Sequence, residues 1–129
     1  MDIDRPEIVA EVAAVFAAYE KALVVNDPDE IMSFFRHGAE TVRFGIADRQ
    51  RGWAHQLAWR RAQPPLPPGR TLSETLITTF GADFAVVTTC FRYPDDPAVG
   101  RQSQTWVRLP EGWRIVSAHV SHPAAGAPH

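Results

Sequence analysis

Four runs decide the fold: TLSETLITTF (71–80), FAVVTTCFRY (84–93), RQSQTWVRL (101–109) and WRIVSAHVSH (113–122). Each is rich in β-branched and aromatic residues, the composition of a half-buried strand. The spacers are Gly81-Ala82-Asp83, Pro94-Asp95-Asp96-Pro97 and Pro110-Glu111-Gly112. Connections this short join only antiparallel neighbours, so the run reads as a meander. Strict alternation puts Ser103 and Thr105 on one face of their strand, and Ser117, His119 and Ser121 on one face of theirs. That face is read as inward, lining a pocket. Gln104 has the opposite alternation, and the sequence leaves open which set faces the pocket.

Upstream, the hydrophobic period changes from two to about 3.6. Asp4-Arg5-Pro6-Glu7 has the form of a capping box, and Ile8, Val12, Phe16, Tyr19 and Leu23 follow at helical spacing. Asn26 ends that helix. Asp27-Pro28-Asp29-Glu30 starts a second, in which Ile31, Phe34 and Phe35 face a core until Gly38. Thr41–Phe44 reads as a short strand, and the segment from Gly45 to Gly52 as a turn with a second strand. Trp53–Ala62 reads as a third helix with Trp53 and Leu57 inward. Gln63-Pro64-Pro65-Leu66-Pro67-Pro68-Gly69 is a stiff crossing loop. The order α-α-β-β-α-β-β-β-β predicts an α+β domain over residues 4–122, three helices covering one face of a curved antiparallel sheet. The proline-rich tail 123–129 is expected to be disordered.

Composition narrows the partners. The 129 residues are 45% hydrophobic, enough for one domain with a core, and the formal charge of -2 offers no footprint for nucleic acid. Cys90 has no partner for an internal disulfide and is expected to be a small buried residue. No membrane span or signal core is evident, so a soluble cytoplasmic protein is expected. The five histidines are scattered, and His119 and His122 point to opposite strand faces, so no metal site is expected.

Ionisable groups on apolar faces are the candidates for chemistry. Arg43 lies between Val42 and Phe44 and needs either a local carboxylate, Glu40 or Asp48, or an incoming anion. Tyr19 falls on the inward stripe of the first helix; its hydroxyl either meets a polar core partner or opens into the pocket. His119, flanked by serines, is a candidate ligand contact. Arg60-Arg61 reads by default as solvated helix surface, with one guanidinium able to bend over the pocket mouth.

Several phrases carry a resemblance. Tyr19–Leu23 with Asn26-Asp27, Thr41–Gly45, Gly100–Arg108 and Gly112–Ser121 resemble the AtzH-like family of the NTF2-like/SnoaL-like superfamily, across about Asp4 to Ser121. The resemblance implies a cone-shaped α+β domain that dimerises through its sheet. It also implies an amidohydrolase, in some members decarboxylating, that acts on N-carboxylated ureas such as 1,3-dicarboxyurea without a cofactor. The family's catalytic tyrosine and arginine fall on Tyr19 and Arg43, with Arg60, Ser103, Gln104 and His119 around the small anionic substrate. In that reading Arg43 lowers the pKa of Tyr19. Where the third helix of the family carries F-R-x-x-R, this chain has Trp59-Arg60-Arg61-Ala62-Gln63. The alternative is a non-catalytic ligand-binding or accessory domain serving a ureide-pathway amidase.

Overall fold

The computed structural model describes residues 1–123. Three helices, α1 (Pro6–Val25), α2 (Pro28–Ser33) and α3 (Trp53–Arg61), accompany six strands. These are β1 (Val42–Phe44), β2 (Arg49–Arg51), β3 (Thr71–Phe80), β4 (Phe84–Arg92), β5 (Gly100–Leu109) and β6 (Gly112–Ser121). They form one sheet in the order β2-β1-β6-β5-β4-β3. The element order and the β3–β6 meander are as the sequence predicts.

All five predicted stripe residues of α1 are buried, and α1 lies across the inner face of the sheet with Trp106, Ile115 and Val87. Phe16 and Trp106, the two large side chains on which the covered-sheet prediction rests, are both in the core. Full burial of a side chain of this size contributes about 1.5–3 kcal/mol relative to exposure. Asp27 caps α2 as expected, its carboxylate accepting from Glu30 N at 3.2 Å.

Local structure differs from expectation in four places. Asp4 does not cap α1; its carboxylate accepts from Thr79 N at 2.9 Å, fastening the N-terminal segment to β3. Helix α2 stops at Ser33 rather than Gly38, because the backbone of Phe34 and Arg36 hydrogen-bonds to Ile115 of β6. β1 pairs with β6 in parallel, so the sheet is not wholly antiparallel. Cys90 is half-buried on the outer face, where its thiol donates weakly to Glu74. The expected disordered tail lies, apart from Pro123, outside the described residues.

A bulge at Val116 matters most for the site. Trp106 opposes Ile115 while Thr105 opposes Ser117, so Val116 is an extra residue that shifts the phase of β6 by one. Ile115 and Ala118 are therefore both inward, whereas Ser117 and His119 turn outward. On β5 the buried set is Gln102, Gln104 and Trp106. The expectation of an inward polar stripe of Ser103, Thr105, Ser117 and His119 is thus corrected: these residues occupy the outer face, where Ser103 opposes His119 and His119 meets Phe44 edge to face.

Candidate functional site

A cavity of about 330 Å³ opens between the C-terminal half of α1, α3, the proline loop and the inner face of the sheet. Tyr19, Arg43 and Arg60 all line it. The sequence thus brings three of its predicted site residues to one wall. The other three are elsewhere. Ser103 and His119 stand on the opposite face of the sheet, and Gln104 is sealed beneath, its carbonyl accepting from Trp106 Nε1 at 3.1 Å. The expectation that these three face the cavity with Tyr19 and Arg43 is corrected accordingly. A cavity of about 430 Å³ at the β1–β2 edge is lined by Val42, Phe44, Arg51 and His55, and by none of the six predicted residues.

Tyr19 arrives by helical periodicity: it stands on the buried stripe of α1, 4% exposed, at the level where that stripe meets the cavity. Phe34, Phe35 and Trp106 enclose its ring edge-on at 5.8–6.3 Å. No hydrogen bond to its hydroxyl forms among the described residues, and the oxygen is not sealed from the cavity. Burial pushes the phenol above its ordinary pKa, and the positive charges of Arg60, Arg43 and Arg70 oppose that without overcoming it. The expected net lowering by a neighbouring guanidinium is therefore corrected.

This shift has a measurable consequence. A phenol whose folded pKa exceeds its unfolded value near 10 contributes stability that is complete below that value. It is lost as pH rises through the folded pKa, since a buried phenolate is costly. Tyr19→Phe removes this slope. Urea titrations at pH 8 and pH 11 are expected to show wild type losing more stability over that interval than the variant. Equal losses would mean that the hydroxyl is as solvated when folded as when unfolded.

Arg43 is held by the β1–β2 pair, where it opposes Gln50. Its Nη1 donates to Asp48 Oδ1 at 2.7 Å and to Gln50 Oε1 at 3.1 Å. The local-carboxylate reading of Arg43 thus holds for Asp48, while Glu40 pairs with Arg36 instead. Arg60 is buried, contrary to the default of a solvated surface. Its guanidinium lies over the Trp59 ring at 4.6 Å, as does that of Arg43 at 4.3 Å. The Arg60 side chain has no ion pair or hydrogen bond among the described residues, and its Nε is buried without a partner. Burial pushes its pKa down, and the neighbouring Arg43 charge adds to that.

Sequence reasoning missed a third guanidinium. Arg70, at the end of the proline loop, donates to both oxygens of Glu20 at 3.0 and 3.4 Å and to Gln102 Oε1 at 3.0 Å. Burial works against its charge, but the Glu20 carboxylate outweighs that and holds the pKa above the ordinary arginine value. Its signal was a cation at the junction of the proline loop with a long strand. Asp96 and His122 complete the opposite wall, 3.6 Å apart. Among the described residues no three His, Cys, Asp or Glu side chains gather as a metal-binding set, and no helix is long and apolar enough to cross a membrane.

Similarity to known proteins accords with this fold. A protein described as having a cystatin-like fold, from Burkholderia xenovorans, is 49% identical, with 99% of each chain covered and a TM-score of 0.92. A protein of unknown function from Pectobacterium atrosepticum is 43% identical over 95% of this chain and 96% of that one, also with a TM-score of 0.92. An NTF2-like protein from Pseudomonas putida shares the fold at 16% identity, with a TM-score of 0.76 over 92% of this chain and 89% of that one. Among curated proteins none matches. The AtzH-like family model matches residues 1–125, and with Tyr19, Arg43 and Arg60 gathered on one cavity of an NTF2-like fold, the chain belongs to the AtzH-like family.

Proposed function

We propose that the protein is a cofactor-independent C–N hydrolase that cleaves N-carboxylated ureas, the class that includes 1,3-dicarboxyurea. The observation that carries this reading is Arg60, a buried guanidinium without a carboxylate partner among the described residues, beside a tyrosine on a ligand-sized cavity. An unpaired buried cation is costly, and an anionic ligand that pairs with it recovers that cost on binding. Arg60 offers a planar fork matched to a carboxylate, and Arg43 adds positive potential.

The bond between the carboxylate carbon and the urea nitrogen breaks, and its electron pair stays on nitrogen. The Tyr19 hydroxyl gives that nitrogen a proton, carbon dioxide leaves, and the phenolate recovers its proton from water. A phenol keeps its proton at neutral pH and can give it in this step; burial, which raises its pKa, makes it a weaker acid than a free tyrosine. The test is incubation of purified protein with 1,3-dicarboxyurea while carbon dioxide release is followed. A raised KM in Arg60→Met is the expected result. Tight binding with no turnover of any N-carboxylated urea would favour a ligand-binding accessory protein instead.

The active protein is proposed to be a cytoplasmic homodimer formed through the outer face of the sheet. That face carries Leu76 (61% exposed), Phe84 (41%) and Phe44 (47%) beside Val107 and Val116. Exposed apolar surface of this kind marks interfaces. Light scattering at micromolar concentration is expected to give twice the 14.3 kDa chain mass, and Leu76→Lys to halve it. A wild-type monomer would remove the proposal.

A further inference from the structure

Three of the four tryptophans have an evident structural task. Trp53, Trp106 and Trp113 pack in or against the core. Their indole N–H groups donate to Met32 O at 2.9 Å, Gln104 Oε1 at 3.1 Å and Glu11 Oε1 at 3.0 Å. A buried tryptophan ordinarily does both. Trp59 does neither among the described residues: it is half-buried, lies outside the core cluster and makes no hydrogen bond through Nε1.

What its ring does contact is charge. The guanidiniums of Arg43 and Arg60 lie 4.3 and 4.6 Å from the ring centre, within reach of a cation–π contact. Like charges repel, so each needs something to hold it there. Arg43 is fixed independently, by Asp48 at 2.7 Å and Gln50 at 3.1 Å. The Arg60 side chain has no such anchor among the described residues. It stands in the last turn of α3, where its neighbour Arg61 reaches solvent and pairs with Asp29 at 2.8 Å. An arginine stem at that position is long enough to carry its head outward too, and hydration favours that. Helix geometry does not oppose it, because side chains at i and i+1 do not face one another. The indole does.

We infer that Trp59 is a positioning residue of the cavity: stacked on the fixed Arg43, its ring keeps the unpaired Arg60 guanidinium turned inward for an anion. This rests on the proposed anion-binding role of Arg60 and adds what maintains it while the cavity is empty. Position 59 then requires an aromatic face. Tryptophan gives the strongest contact of this kind, and phenylalanine a weaker one.

Glutarate is the probe, a dicarboxylate matched in length to 1,3-dicarboxyurea and with no C–N bond to break. Isothermal titration of the full-length protein is expected to show Trp59→Leu binding it about tenfold more weakly than wild type. Trp59→Phe is expected to stay within about threefold of wild type. Trp59→Leu combined with Arg60→Met is expected to bind as Arg60→Met alone does, within about twofold, because a residue acting through another is not additive with it. A loss of packing would instead multiply the two effects. If Trp59→Leu binds as wild type does, if Trp59→Phe is as weak as Trp59→Leu, or if the losses multiply, the positioning role is overturned while the anion-cavity reading stands. If wild type does not bind glutarate, both fall together. Trp59 lies outside the core, so Trp59→Leu is expected to keep the wild-type melting curve. A second measurement needs no variant at this position. In proton–nitrogen spectra of wild type, the Arg60 Nε–H signal, identified by its loss in Arg60→Met, is expected upfield of the exposed arginines, shifted by the indole ring. A signal at the position of a solvated arginine overturns the stack even if no Trp59 variant folds.

Discussion

Replacing Arg60 by methionine is expected to raise the melting temperature and weaken ligand binding in the same variant. The two effects have one origin. Arg60 is 6% exposed, has no acidic partner among the described residues, and leaves Nε without a hydrogen bond. Replacing buried charges by apolar side chains of similar volume is often neutral or stabilising by about 1–4 kcal/mol. Lost stacking on Trp59 offsets about 0.5–2 kcal/mol of that, so a net gain of roughly 1–2 kcal/mol is expected. A gain of that size raises the melting temperature of a chain this long by several degrees. Binding moves the other way: losing the cationic partner of a buried carboxylate costs about 2–5 kcal/mol, at least thirtyfold in affinity. Calorimetric melting and titration of one protein preparation read both. A variant that melts lower and binds as wild type does would make Arg60 a structural residue of α3.

That residue also shows where the sequence stopped being legible. The stripe of α1 could be read because apolar residues recur at one helical period along it, and the four strands because β-branched and aromatic runs are separated by short turn-forming spacers. The inner face of α3 is polar instead. Its buried residues are Gln56 and Arg60, with both amide atoms of Gln56 lacking a partner, so apolar periodicity points away from the true inner side. Trp53 and Leu57 pack only partly against the core. On β6 the alternation was read correctly as far as Ile115, and the bulge at Val116 then inverted it. A single inserted residue exchanges every later side chain between faces, and one sequence carries no mark of it. The pairing of Glu20 with Arg70 spans fifty positions and closes only when the proline loop crosses α1. Tyr19 and Arg43 were visible because a polar tip interrupts an otherwise apolar pattern, a signal that needs no tertiary information.

Tyr19→Phe is expected to fold as wild type does and to lose turnover of N-carboxylated ureas by about a hundredfold or more, with little change in KM. The ring makes its edge-on contacts with Phe34, Phe35 and Trp106 through carbon, and all three survive the substitution. The hydroxyl forms no hydrogen bond among the described residues, so its removal orphans no partner in the fold. Any loss is therefore a loss of what the hydroxyl does to the substrate. Positioned proton transfer contributes about 10²–10⁴ in rate, and an interaction made only in the transition state lowers kcat and kcat/KM together. A ground-state contact would raise KM instead, as Arg60→Met is expected to do. Steady-state kinetics of carbon dioxide release separates the two cases, with the melting curve as a control on folding. Turnover within threefold of wild type would place the proton donor elsewhere and leave Tyr19 as a wall of the cavity.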